Sequence, residues 1–159
     1  MTDYYDSKPA PQFESPEDTA NQLAVMNEVA RIFNIKPTPT PPCADMDFYF
    51  ERPIQPNILH PAEIRCRTNS SWRYPTFMIN HSKWLIGKAE ATKRGSRFFI
   101  FIRFKDGLFF TDETNKTDTG TRFVQEGGRT TTHRGVASDR GMVIHIPIKE
   151  LIQIIGAFK

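Results

Sequence analysis

Asp47 and Glu63 are the two residues whose type and spacing could do chemistry. From Asp45 to Glu51 the even positions Met46, Phe48 and Phe50 are apolar, and the odd ones carry acids and Tyr49. That period of two marks a half-buried strand with its apolar residues inward. Ala62–Thr68 alternates in the same way: Ile64 and Cys66 take one side, Glu63, Arg65 and Arg67 the other. If the two strands pair in a suitable register, Asp47 and Glu63 converge to within about 6 Å. Two carboxylates with room for water are what Mg²⁺ requires, and they leave positions open for a phosphate. Arg65 points the same way and could stabilise charge building on that phosphate. The same residues also fit a plainer role, a solvated strand face on which the acids pair with Arg65 and Arg67.

An Asp near one strand followed by Glu63-Ile64-Arg65 on the next resembles the motif of the PD-(D/E)XK nuclease superfamily. The resemblance covers Asp45 to about Phe110. It implies a restriction-endonuclease-like α/β fold: a helix, an antiparallel run of strands, a crossing helix and a further strand. It also implies hydrolysis of DNA phosphodiesters, endo or exo, with Mg²⁺ or Mn²⁺ as cofactor. Asp47 matches the first carboxylate, Glu63 the second and Ile64 the apolar spacer, whose carbonyl becomes a further metal ligand by the same analogy. Lys83 resembles a basic residue often found at the start of the following helix. Glu28 matches a helical carboxylate that some members add.

The departure is Arg65, which stands where the superfamily usually has lysine. A lysine ammonium is compact, whereas a guanidinium is a planar fork that stays protonated. Three outcomes follow: catalysis with altered geometry, an ammonium supplied by Lys83, or a degenerate site on a protein that binds or assembles on nucleic acid.

The elements that must position these residues form one α/β domain. Residues 1–14 read as a loose tail. Ser15, Pro16, Glu17 and Asp18 start a helix that runs to about Ile35, with Leu23, Met26, Ala30 and Phe33 at helical spacing and Val25, Val29 and Ile32 widening the apolar stripe. Residues 36–44 are rich in proline and read as an extended connector. Arg52–Pro61 reads as a turn-prone separator. Asn80, His81 and Ser82 cap a helix to about Lys93, weakened by Gly87. Arg97–Phe104 is apolar on both parities, as in a strand covered on both faces, and Lys105-Asp106-Gly107 turns it into Leu108-Phe109-Phe110. Residues 111–141 hold eight threonines and repeated glycines, which predicts a long polar loop and the least ordered stretch after the tail. Gly141–Ile146 restores a strand, and Pro147 introduces a final helix with Leu151, Ile152 and Ile155 inward.

Charge is distributed unevenly. Residues 1–60 carry a net −5 and residues 61–159 a net +8, which suits a polyanion-binding domain behind an acidic leader. A purely protein-binding domain would leave the basic part unexplained. Arg67, Arg73, Lys88, Arg129 and Arg134 are the candidate nucleic-acid contacts. Trp72 and Tyr74, beside Arg73, either stack on bases or pack in the core or at its rim. His81, His133 and His145 lack zinc spacing. Cys43 and Cys66 are too few for a disulfide scaffold and read as reduced thiols of a cytoplasmic protein. No run approaches the length of a transmembrane helix. DNA is the expected partner, no membrane is expected, and a homodimer is compatible with the sequence.

Overall fold

The first helix begins as its residues dictate, with Pro16 in the opening turn beside Glu17 and Asp18. This element, α1 (Pro16–Phe33), buries Val25, Met26 and Val29. The buried stripe is narrower than the sequence suggests, because Leu23 and Phe33 are exposed. Asn34 ends the helix in the left-handed region, at φ 53°, a conformation asparagine tolerates. The computed structural model describes residues 16–40, 44–127 and 141–154. The expected tail lies outside the described residues.

The α/β class and the mixed sheet flanked by helices are as expected. Six strands lie in the order β1 (Lys36–Pro39), β2 (Phe48–Arg52), β3 (Gln55–Cys66), β5 (Phe99–Phe104), β6 (Gly107–Asp112) and β9 (Ile152–Gln153). Among the described strands only β3 and β5 pair in parallel, across a crossover that holds β4 (Thr76–Asn80) and the second helix, α2 (His81–Arg94). Helix α1 covers one face through Val25, Val29, Phe48, Ile64 and Phe101. On the other face Trp84 of α2 packs with Ile100, Ile102, Ile79 and Ile144. The last two belong to a second, three-stranded sheet of β4, β8 (Met142–Pro147) and β7 (Phe123–Glu126), in the order β4-β8-β7, which the sequence reading did not anticipate. No helix among the described residues is long and apolar enough to cross a membrane.

Four expectations need correction. Part of the proline-rich connector is strand β1, paired antiparallel with β2. Prolines are tolerated there because an edge strand has a free side. The turn-prone separator is mostly strand, with the turn confined to Pro53-Ile54. Pairing of β3 with β5 begins only at Ala62, so Pro56 and Pro61 precede the doubly paired part. The polar stretch 111–141 is anchored at its start: Glu113 and Arg122 are buried and Phe123–Glu126 is β7. Residues 128–140 lie outside the described residues. In place of the final helix there is a 3₁₀ turn, Ile148–Glu150, and then β9. There Ile154 is buried, Ile152 is exposed, and Ile155 lies outside the described residues.

Candidate active site

The bend before β2 carries Asp47. The Thr40 hydroxyl holds the bend through the carbonyls of Met46 (2.6 Å) and Asp47 (2.8 Å). Met46 therefore packs in the core cluster on the α2 side, apart from Phe48 and Phe50. The Asp47 N–H donates to the Ala62 carbonyl at 3.2 Å. The Ile64 N–H in turn donates to Asp47 Oδ2 at 2.7 Å, which locks the carboxylate against β3.

Glu63 points to the α2 face of the sheet because its neighbours Ala62 and Ile64 point to the α1 face. It is completely buried, and among the described residues neither of its oxygens accepts a well-aligned hydrogen bond. Two cations approach Oε2: Arg65 Nη1 at 2.8 Å and Lys83 Nζ at 3.7 Å. Burial raises the Glu63 pKa above the usual carboxylate range. Arg65 opposes that shift, the Asp47 charge adds to it and Lys83 opposes it.

Lys83 is delivered by the first turn of α2. Asn80 is its N-cap, with Oδ1 accepting from the N–H groups of Ser82 (2.9 Å) and Lys83 (3.4 Å). The isolated glycine expected to weaken α2 has a packing reason. A Cβ on Gly87 would lie 2.4 Å from the Phe98 ring, so glycine lets the helix settle on the start of β5. Gly95 closes α2 in the left-handed region, at φ 66°.

Arg65 Nη1 lies 2.8 Å from Glu63 Oε2, 2.9 Å from the Ile64 carbonyl oxygen and 3.7 Å from Asp47 Oδ2. One positively charged atom thus sits where the three oxygens converge. Among the described residues no three His, Cys, Asp or Glu side chains cluster around a cation site. The donor set is two carboxylates and a carbonyl. Hard oxygen donors of this kind fit Mg²⁺ or Mn²⁺, which keep several waters. The buried carboxylate of Glu63, whose Oε1 has no hydrogen-bond partner among the described residues, adds to that fit.

The site opens into a polar cleft of about 250 Å³ that Asp18, Gln22, Asp47, Arg65, Arg67 and Lys83 help to line. The structure thus brings Asp47, Glu63, Ile64, Arg65, Arg67 and Lys83 together. A family model described as "Phage putative PDDEXK endonuclease" matches residues 8–154. The chain belongs to this family of nucleases. No curated protein matches the chain.

Other candidates lie elsewhere in this PDDEXK protein. Glu28 pairs with Arg103 on β5. The α1 carboxylate lining the cleft is Asp18, whose first-turn position signals only a helix start in the sequence. Lys88 lies over the Trp84 ring at 4.6 Å and hydrogen-bonds the Thr114 carbonyl at 3.3 Å, so its ammonium is engaged by the protein. Arg94 pairs with Glu90, and Arg97 with Asp112. His81 bonds Asp118 at 3.0 Å. Arg73 stands over the Tyr74 ring at 4.9 Å, on the loop after β3. Arg129 and Arg134 lie outside the described residues.

Proposed function

We propose that this chain is a DNA endonuclease that uses Mg²⁺ or Mn²⁺, held by Asp47, Glu63 and the Ile64 carbonyl. The observation that carries the reading is the convergence of these three oxygens on one cationic atom beside a polar cleft. When bound, the metal supplies a Lewis acid for the phosphate and lowers the pKa of its water. The protein's own part is charge and placement. Asp47 is oriented by the Ile64 N–H, so its carboxylate needs no reorganisation. Lys83 provides the compact ammonium that position 65 lacks. It stands beside Glu63, where it can hold a water or a phosphate oxygen. Arg65 and Arg67 add positive charge for the substrate anion. A DNA substrate and the free thiol of Cys66 accord with action in the cytoplasm.

The test uses linear, nicked and branched DNA with Mg²⁺ or Mn²⁺. The wild type should cut and Glu63→Gln should not. Its loss should exceed the roughly 10–100-fold typical for an outer-shell partner. Mn²⁺ should raise the Tm of the wild type but not of Glu63→Gln. A wild type that neither cuts any of these DNAs nor gains Tm with Mn²⁺ refutes the reading.

One observation favours a second reading. Arg65 already places a positive charge among the three oxygens, as in a protein that keeps the fold to bind DNA without cutting it. Removal of that guanidinium, discussed below, separates the two.

A further inference from the structure

Trp72 and Tyr74 are not core. They are 77% and 54% exposed, on a loop that the rest of the protein holds firmly. The Ser71 N–H and hydroxyl both donate to Asp106, each at 2.7 Å. The Lys105 N–H donates to the Asn69 carbonyl at 3.0 Å, and the Ile148 N–H to the Pro75 carbonyl at 2.9 Å. The rings thus project from a loop pinned at three points, where a flexible loop would let them collapse onto apolar surface.

The outer face of the small sheet continues this surface. The β-ladder places Met78, His145 and Phe123 in one cross-strand row. Phe123 stacks flat on His145, with centroids 4.4 Å apart and planes 9° apart. Met78 and Phe123 are both substantially exposed. The opposite face of the same strands, through Phe77, Ile79, Ile144 and Ile146, is core. Among the described residues, the row therefore lies outside the core.

This surface is continuous with the catalytic cleft. Arg67 lines both that cleft and the adjoining one, of about 400 Å³, which Tyr74, Met78 and His145 also line. The next cleft shares Tyr74 and adds Trp72 and Lys149. The Arg67 side chain is fixed by a 2.9 Å hydrogen bond to the Met78 carbonyl. Burial and then the Arg65 charge lower its pKa, with only Cys66 opposing. Arginine stays protonated regardless, so an anion at this junction meets a positive charge held in place by the protein.

We infer that Trp72, Tyr74 and the Met78–His145–Phe123 row form a stacking platform for the unpaired bases of a single DNA strand, whose phosphates pass Arg67 into the catalytic cleft. The inference rests on the nuclease reading and narrows its substrate to DNA with a single-stranded segment. Exposed ring faces flanked by Arg67, Arg73 and Lys149 suit unpaired bases, since every base offers a π-face and the cations track the backbone. Bases within a duplex are already stacked on one another and offer only their edges. The rigid loop lowers the ordering cost of binding.

The experiment titrates full-length protein, in chelator to prevent cleavage, with labelled oligo(dT) and with a blunt duplex of equal length. Of the two tryptophans, Trp84 is buried and Trp72 is exposed, so quenching of emission reports on Trp72. Oligo(dT) should quench the wild type. Trp72→Phe should keep the affinity and lose the quenching. Trp72→Ala and Tyr74→Ala should each weaken oligo(dT) binding about tenfold, with Tm and duplex affinity unchanged. Unchanged oligo(dT) affinity in both alanine variants, or equal losses on oligo(dT) and duplex, overturns the platform. So does a Trp72→Ala protein whose sedimentation changes while its DNA binding does not, because the patch is then a contact between copies. Cleavage assays keep the two readings apart. A wild type that cuts DNA while the alanine variants bind oligo(dT) normally overturns the platform alone. A wild type that cuts nothing, yet loses oligo(dT) on Trp72→Ala, overturns the nuclease and keeps the platform.

Discussion

Two glutamates among the described residues are completely buried, Glu63 and Glu113, and their surroundings are opposites. Glu113 has every acceptor used. Its Oε1 accepts from Trp84 Nε1 (2.8 Å) and Arg122 Nε (2.6 Å), and its Oε2 from Thr111 Oγ1 and Arg122 Nη2, both at 2.6 Å. Arg122 continues to Glu150 at 2.6 Å. Glu63 has two nearby cations and no hydrogen bond. A saturated carboxylate is a tie between elements, here α2, β6 and the segment before β7. The Glu63 carboxylate meets its cations at Oε2 only and is held chiefly by charge, and the protein retains it at a cost in stability. Burial alone does not distinguish the two glutamates; the completeness of the hydrogen-bond shell does.

The largest effect should fall on the saturated glutamate. Glu113→Ala leaves Arg122 buried without its bidentate partner, a loss of about 3–5 kcal/mol. Melting of the variant should show a Tm lower by roughly 10 °C, whereas Glu63→Gln should melt no lower than wild type. If the two variants lose equal stability, the contrast between the two sites is wrong.

Arg65 sharpens the comparison from the other side. If its guanidinium merely stands at the place of a metal, Arg65→Lys should bind Mn²⁺ at least as tightly and cut DNA at least as fast as wild type. Calorimetry and a cleavage assay check both. A lower Tm with no gain in either would make Arg65 a structural partner of the acids, as Arg122 is of Glu113.

The smallest effect concerns His60, a buried residue between the two extremes. Its Nδ1 accepts the Arg97 N–H at 3.1 Å, while Nε2 has no partner. Burial, and then the Arg52 charge, hold its pKa below the ordinary histidine value. Protonation therefore favours the unfolded chain, and stability is lost as pH falls below about 6.5 towards the lower folded value. Wild-type Tm minus that of His60→Gln should decline over this window. A difference that stays flat would mean that His60 does not titrate on unfolding.

The sequence exposes these regions unequally. Asp47, Glu63 and Arg65 could be placed on one face because alternation with Phe48, Phe50, Ile64 and Cys66 reports direction. The parallel partner β5 could be read from Ile100, Phe101 and Ile102, apolar on both parities. Glu113 and Arg122 could not be found that way. Their stretch has almost no apolar residues, and the tie within it is made by hydrogen bonds that no periodicity reports. The small sheet was missed because β4 lies against a helix cap, so Asn80 reads as the start of α2 and hides the strand before it. Asp18 reads in the sequence as part of a helix start, a role it can fill while also facing the cleft.

Gly87 and Lys83 are one turn apart on the same side of α2, so whatever sets the height of one over the sheet sets the height of the other. That height is fixed by a missing atom, since a methyl group at position 87 would enter the Phe98 ring. Glycine makes α2 weaker as an isolated helix by about 1 kcal/mol relative to alanine. In exchange, the ring of Phe98 becomes a stop against which the helix rests. The separation between ammonium and carboxylate at the cleft is therefore gauged from a point one helical turn away, by a contact that involves neither group.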